Sequence, residues 1–507
     1  MSKYILAHDL GTSGNKATLY DTNGKLCASS LYEYPTYYPN PNWVEQDSTD
    51  WWKAVCVSTK DLIDKSKISN NDIACVSFSG QMMGCLLVDK KGEALRNMII
   101  WADMRSIKQA ELIEHLLGME KVYKITGHRV SPSYSAAKLL WIRDNQPEIY
   151  KKAHKILHAK DFIIHKLTGK FVTDYSDASG TNLFDIRSKK WSSEILKALD
   201  IDQDLLPELH KSSDIVGNVT LSAASQTGLL QGTPVVVGGG DGSCACVGAG
   251  VVQEGRTYNV LGSSSWISLA SKEPIFDSEM RTFNWVHLDP EFYTPCGTMQ
   301  TAAYSLSWLK DTLCAEEVVA AKRQNKSPYE LIDEKVMKSP AGANKLLFLP
   351  YLLGERCPRW NPDAKGSFIG MTIRTTKEDI LRSVLEGVGY NLKVILDIFD
   401  KANPIDEISI IGGGAKGKVW LQILSDIWQK PLLVPEYIEE ATSMGAAICG
   451  GVGIGAFEDF RVINKFNAIK SKVTPNPENK ELYSKLYSAF NDSYLALEEV
   501  FSKLSNI

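Results

Sequence analysis

Val235-Val236-Val237-Gly238-Gly239-Gly240-Asp241-Gly242 is a β-branched apolar run that stops at three glycines and a carboxylate. A buried strand that ends this way points its acid into a crevice, where thin backbone lets a ligand come close. An acid held there can take a proton from a substrate hydroxyl. Taken alone, the stretch reads more readily as a glycine-rich turn whose Asp241 hydrogen-bonds its own backbone. The rest of the chain decides between the two.

Upstream, the apolar segment from residue 4 ends in Asp9-Leu10-Gly11-Thr12-Ser13-Gly14. Residues 16–20 read as a second strand, and Asp21-Thr22-Asn23-Gly24 as a hairpin turn before a third. The chain therefore opens with an antiparallel meander. Strand-like and helix-like patterns then alternate to about residue 247, as in residues 73–79 and 135–143. After a small-residue stretch at 242–250 the pattern restarts: residues 257–269 read as strand, Gly/Ser turn and strand. Leu261-Gly262-Ser263-Ser264 echoes Leu10-Gly11-Thr12-Ser13. Two halves that each open on a hydroxyl-rich turn predict a duplicated α/β unit, divided at residues 1–247 and 248–507, with a ligand between the halves. Further on, Thr376-Lys377-Glu378-Asp379 resembles a capping box. It opens a helix with Ile380, Leu381, Val384, Leu385, Val388, Leu392 and Ile395 on one face. Ile408-Ser409-Ile410-Ile411 again stops at glycines, and residues 479–504 read as a charged helix.

The 507 residues are 44% hydrophobic and 23% charged, with net charge -4. That is an ordinary globular composition, and the chain is too long for one core. No basic stretch asks for nucleic acid or an anionic membrane. No apolar run approaches the roughly 18 residues of a membrane span, and residues 5–7 are too short for a signal-peptide core. Ten cysteines lack metal-ligand spacing. Cys244 and Cys246 read as alternating across a strand or turn. Such thiols are expected to be reduced and mostly buried, in a cytoplasmic protein.

Four groups of residues could carry chemistry. Gly11, Thr12, Ser13 and Lys16 combine turn N–H groups, hydroxyls and an ammonium, which can cradle phosphate oxygens. Asp9 beside them could hold Mg²⁺ through water. The order is not that of a Walker A loop. Gly262, Ser263, Ser264 and Ser265 form a second such turn. Gly412, Gly413, Gly414 and Ala415 leave room for a flat ring or a ribose, without dinucleotide-fingerprint spacing. Gln81, Met82, Met83, Trp101, Asp103 and Arg105 suit a polyhydroxylated ligand. The methionines are more readily core filling, and Asp103–Arg105 is as readily a local salt bridge. His128, His154, His158 and His165 read as surface or helix-packing residues.

Together these residues resemble the FGGY family of carbohydrate kinases, whose fold is that of actin, Hsp70 and hexokinase. Ser133-x-Ser135-x-x-Lys138-Leu139-x-Trp141-Ile142-x-Asp144-Asn145 is similar to one family signature. Gly366-x-Phe368-x-Gly370-Met371 with Asp379-Ile380 and Ser383-Val384-Leu385-Glu386 is similar to the other. The resemblance implies two duplicated actin/hexokinase-like (ribonuclease H-like) α/β domains around a ligand cleft. It implies Asp241 as catalytic base, with ATP phosphates between Gly11–Lys16 and Gly262–Ser264. Adenosine would lie on Gly412, Gly413, Gly414 and Ala415, Mg²⁺ at Asp9, and sugar near Gln81, Met82, Met83, Trp101, Asp103 and Asp241. A homodimer is also implied.

Asn42-Trp43-Val44-Glu45-Gln46-Asp47, Trp101-x-Asp103-x-Arg105 and Tyr351-Leu352-Leu353-Gly354-Glu355-Arg356 resemble motifs of the pentulose-kinase subgroup, xylulokinases in particular. The implied reaction is D-xylulose + ATP → D-xylulose 5-phosphate + ADP. That subgroup's pattern is Gln-Met-His-Gly, and Met83 stands at the His. This keeps ribulose, a polyol such as erythritol, the autoinducer-2 signal, and a non-catalytic sugar sensor open as alternatives.

Overall fold

The computed structural model describes residues 4–507. It contains two seven-stranded sheets. In the first, the spatial order is Ile215–Asn218, Pro234–Val236, Ile73–Gly80, Tyr4–Leu10, Gly14–Asp21 and Leu26–Glu33, with Gly239–Gly240 also paired to Ile73–Gly80. In the second it is Phe283–Val286, Tyr293–Met299, Ser265–Leu269, Thr257–Leu261, Ile408–Ile411, Leu432–Pro435 and Ile469–Val473. Each sheet has the same grammar. An antiparallel meander is followed by two parallel partners and an antiparallel edge strand. The duplication expected from one short sequence echo is thus a duplication of topology.

Parallel pairing brings the site's strand ends together. Asp9 lies opposite Ser79, and Gly240 opposite Gly80, so Asp9 and Asp241 flank the end of one shared strand. Ligands of open α/β sheets bind outside such carboxyl ends. In the second half, Ile411 lies opposite Val260, which sets the glycine run at 412–414 beside the Gly262 turn.

The long helix Lys377–Ala402 forms as expected, with the Thr376 hydroxyl and the Asp379 carboxylate exchanging hydrogen bonds with each other's backbone N–H. Its apolar face, Leu381, Val384, Leu385, Val388, Leu392 and Ile395, is fully buried in the second half's core. Each such side chain contributes about 1.5–3 kcal/mol. The C-terminal helix Lys480–Ser505 covers the same core with Tyr483, Leu486, Phe490 and Phe501.

The halves join through two crossing helices, Asp241–Gly248 and Ala441–Gly453. A Cβ on Gly445 would lie 1.9 Å from the Cys244 carbonyl oxygen, and one on Gly248 would lie 1.8 Å from that of Ala441. Only glycine permits this crossing. The second helix also packs Met444, Ala447 and Ile448 against Ile5, Ala7 and Cys75 of the first sheet. Cys244 and Cys246 lie on the first of these helices, correcting the strand-or-turn expectation. Eight of the ten cysteines are buried. Among the described residues, no helix is long and apolar enough to cross a membrane.

Candidate active site

Asp241 is the first residue of its helix, and Gly242 N–H donates to its Oδ1 at 2.7 Å. Its carboxyl faces a cavity of about 480 Å³ between the halves, within the range of small-molecule sites. Met82, Met83, Trp101 and Gly242 line the cavity from the first half. Across from them stand Ser263, Ser264, Trp266, Phe283, Trp285 and Arg356. Asp241 and Arg356 are the charged residues of this lining. Asp241 is half-buried at the cavity wall. That burial first, then the charge of Asp9, and also that of Asp177, push Asp241 up to about 7, against the Gly242 hydrogen bond. A carboxyl near neutrality is suited to exchanging a proton with an alcohol.

Asp9 is also pushed up by burial, with Ser79 and Lys16 opposing. The turn after it is braced from behind. Gln81 donates to Gln46 at 2.6 Å, Gln46 donates to the Thr12 carbonyl at 2.6 Å, and the Tyr34 hydroxyl donates to the Gly11 carbonyl at 2.5 Å. Trp101 Nε1–H donates to the Thr12 hydroxyl at 3.0 Å, joining this turn to the cavity wall. Lys16 reaches across to Glu440 Oε1 and the Glu439 carbonyl, both at 3.3 Å. The Gly262 and Ser263 carbonyls accept from Ala302, Ala303 and Tyr304 N–H at the start of the helix Ala303–Leu313. Ser263 and Ser264 remain part of the cavity lining. Gly412 adopts φ 88°. A Cβ on Gly414 would lie 2.4 Å from Leu261 Cγ, so Gly412–Ala415 packs behind the second turn, outside the cavity lining.

Two sugar-contact expectations meet a different geometry. Asp103 has no exposed surface. Its oxygens accept from Arg105 Nε at 2.9 and 3.0 Å, from Arg105 Nη2 at 2.7 Å, and from Val44 N–H at 2.5 Å. Arg105 stacks 3.9 Å from the Trp43 ring and pairs with Glu45 at 2.7 Å. The Asp and Arg of the Trp-x-Asp-x-Arg motif are therefore a buried ion pair, the local salt bridge of the two sequence readings. Gln81 is likewise a brace for the first turn rather than a cavity wall. Met82 does line the cavity, packed over Gly240. Met83 sits in the left-handed region at φ 65°, a conformation costly for a long side chain. The buried Lys138 ammonium donates to the Met83 carbonyl at 3.1 Å and also bonds the Ser133 carbonyl. This gives the first signature's lysine a role in holding the Met83 turn. Burial lowers Lys138 to about 7, against the charge of Asp103.

Sequence reasoning missed Tyr258, Trp266, Phe283, Trp285 and Arg356 as site residues. Only Arg356 carried a signal, the Gly-Glu-Arg motif. His128 and His158 are buried, not surface residues. His128 packs edge-on to Trp285 with ring centroids 4.3 Å apart, and His158 Nδ1 lies 2.5 Å from Asp177.

Known proteins place the chain. The FGGY family of carbohydrate kinases matches with its N-terminal domain over residues 4–248 and its C-terminal domain over residues 257–454. A xylulose kinase from Bacillus subtilis is 34% identical over 508 residues, covering 99% of each chain. A gluconokinase from the same organism is 30% identical over 508 residues, covering 100% of this chain and 98% of its own. Among solved structures, the ligand-bound xylulose kinase from Lactobacillus acidophilus superposes with a TM-score of 0.92 at 28% identity, covering 99% of this chain and 100% of that one. With both domains matched and relatives alike from end to end, the chain belongs to the FGGY family of carbohydrate kinases and is a phosphotransferase with an alcohol group as acceptor.

Proposed function

We propose that this kinase transfers the γ-phosphoryl group of ATP to a ketopentose, with D-xylulose giving D-xylulose 5-phosphate and ADP. The observation that carries the reading is Asp241, a carboxyl raised toward neutrality at a strand end, facing an aromatic-walled cavity opposite a serine turn. Full-length likeness to xylulose kinases supports the choice of sugar. Asp241 accepts the proton of the sugar hydroxyl as its oxygen attacks the γ-phosphorus, and ADP departs in line. Gly11, Thr12, Ser13 and Lys16 hold the phosphates from one side, and Gly262, Ser263 and Ser264 from the other. Gly412, Gly413, Gly414 and Ala415 carry the adenosine. Residues 1–247 and 248–507 are the two jaws, and their closure excludes water.

Asp9 would hold Mg²⁺. A hard carboxylate oxygen at a strand end, destabilised as an anion by its burial, fits that ion. The metal would supply neutralisation of phosphate charge. Trp101, Met82, Met83 and Trp285 enclose the sugar carbons, and Arg356 offers donors to its oxygens. Arg356 also favours a second reading, a sugar acid such as gluconate, because the lining's cation would face a carboxylate; the gluconokinase likeness supports it.

Coupled ADP-release assays across D-xylulose, D- and L-ribulose, erythritol, gluconate and the autoinducer-2 precursor test the assignment. D-Xylulose is expected to give the highest kcat/KM, by about tenfold or more over the others. Preference for gluconate would replace the ketopentose by a sugar acid. Activity should also follow the titration of Asp241. Its base form is required, and its raised pKa means protonation as pH falls through about 7. The kcat/KM for sugar is therefore expected to be level at alkaline pH and to fall on the acid side, with a midpoint of about 7. A profile flat down to about pH 5 would remove Asp241 from the role of base.

A further inference from the structure

Behind the glycines that carry Asp241 lies a buried ion cluster outside the cavity lining. The Lys160 ammonium lies 2.6 Å from Asp161, 3.0 Å from Asp174 and 3.3 Å from Asp177, and His158 closes the group on Asp177. All five side chains are buried. His158, Asp161 and Asp177 have the spacing of a metal site, but the Lys160 ammonium already serves both carboxylates. Buried ion groups of this kind are often no more stabilising than apolar packing. Stability alone is a weak reason for this one.

Asp174 points the cluster at the active site. Its Oδ2 accepts from the Ser176 hydroxyl at 2.5 Å and from the Ser212 hydroxyl at 2.7 Å. Ser176 Oγ in turn accepts from Gly240 N–H at 3.0 Å. A hydroxyl has one proton to give, and here it goes to Asp174, so the lone pair must face Gly240. The relay converges on Asp174: Gly240 N–H donates to Ser176, Ser176 donates to Asp174, and the Lys160 ammonium donates to Asp174 from the other side.

A second relay arrives from the other half of the molecule. Trp266 Nε1–H donates to the Tyr258 hydroxyl at 2.8 Å, and that hydroxyl donates to the Gly242 carbonyl at 3.0 Å. Gly242 N–H holds the Asp241 carboxylate. The residues on both sides of Asp241 are glycines, with little backbone stiffness of their own. Beyond the pairing of Gly240 with Gly80, each is held by a hydroxyl. We propose that Ser176 and Tyr258 are positioning residues that set the Asp241 carboxylate against the sugar hydroxyl, with the buried Lys160 cluster anchoring the first relay. The proposal rests on Asp241 being the base. Because Trp266 lines the cavity and belongs to the second half, the base is fully aligned only when both halves are seated together.

The test is steady-state kinetics of the full-length enzyme on its best sugar at saturating MgATP, with thermal unfolding as a folding control. Ser176→Ala and Tyr258→Phe are each expected to lower kcat by about tenfold while sugar KM stays within about twofold. Ser176→Thr, which keeps the hydroxyl, is expected to recover most of the loss. In an Asp241→Asn background neither substitution should lower residual turnover further, since each acts through that carboxylate. Should Ser176→Ala fail to fold, Tyr258→Phe carries the same comparison. Two outcomes overturn the positioning role alone: kcat within about twofold of wild type in the singles, or the same tenfold loss persisting in the Asp241→Asn background. Wild-type turnover of Asp241→Asn by itself strikes the base assignment, and the proposal goes with it.

Discussion

Asp241→Asn is expected to lower turnover by about 10³-fold, with sugar KM changed by no more than about threefold. The substitution keeps the shape of the side chain and an oxygen for Gly242 N–H, which donates to Oδ1. It removes the one group in the cavity lining able to accept a proton from an alcohol at neutral pH. The carboxyl is held near 7 chiefly by burial, then by Asp9, so both protonation states lie within reach of the working pH. An amide has no such state. Binding should persist, because the walls of the cavity, Trp101, Met82, Phe283 and Trp285, are untouched. Kinetics together with calorimetric titration of the sugar make the separation. Turnover within about tenfold of wild type would show that positioning and charge neutralisation suffice without a base.

Much of this site was legible because strand ends are legible. An apolar run that stops at glycines states both where a strand lies and where backbone is thin, and the segments ending at residues 9–14, 235–242 and 408–415 all did so. The capped helix from Lys377 announced itself by Thr376 and a regular apolar face. The helix that begins at Asp241 did not. Its Gly-Ser-Cys-Ala-Cys-Val-Gly sequence has no apolar stripe, because crossing helices at van der Waals contact need small residues all round. Asp103 was legible as a polar residue but not as a buried one, since Val44, which donates to it, and Glu45, the second partner of Arg105, come from a separate stretch of the chain. Tyr258 and Trp266 read as ordinary strand residues. Their use depends on the second half meeting Gly242, a contact across the joint that no local pattern encodes.

Lys160 was the least legible residue of all. Lysine followed by aspartate on a helix reads as a solvated pair, yet this ammonium is fully buried and its other two partners lie where the strand Val172–Asp174 turns into a short helix. Its contacts raise its pKa well above the ordinary value, the three carboxylates outweighing burial. A raised lysine pKa means its stabilising charge is fully present below the unfolded value of about 10.4 and is lost only as pH rises through the folded one. At neutral pH the whole contribution is in place. Lys160→Met removes it and leaves Asp161, Asp174 and Asp177 facing one another with His158 as sole counterion. The expected cost is about 3–5 kcal/mol, a fall of roughly 10 °C in the melting temperature of the first half. Adding Asp161→Asn should then reverse sign. In the wild type it breaks a 2.6 Å ion pair and destabilises, whereas in the Lys160→Met background it removes an uncompensated charge and recovers part of the loss. Scanning calorimetry of the two single variants and the double variant reads this cycle. Melting of Lys160→Met within about 2 °C of wild type would mean that water or relaxation compensates the cluster, and that its carboxylates hold no fixed geometry for Ser176 to lean on.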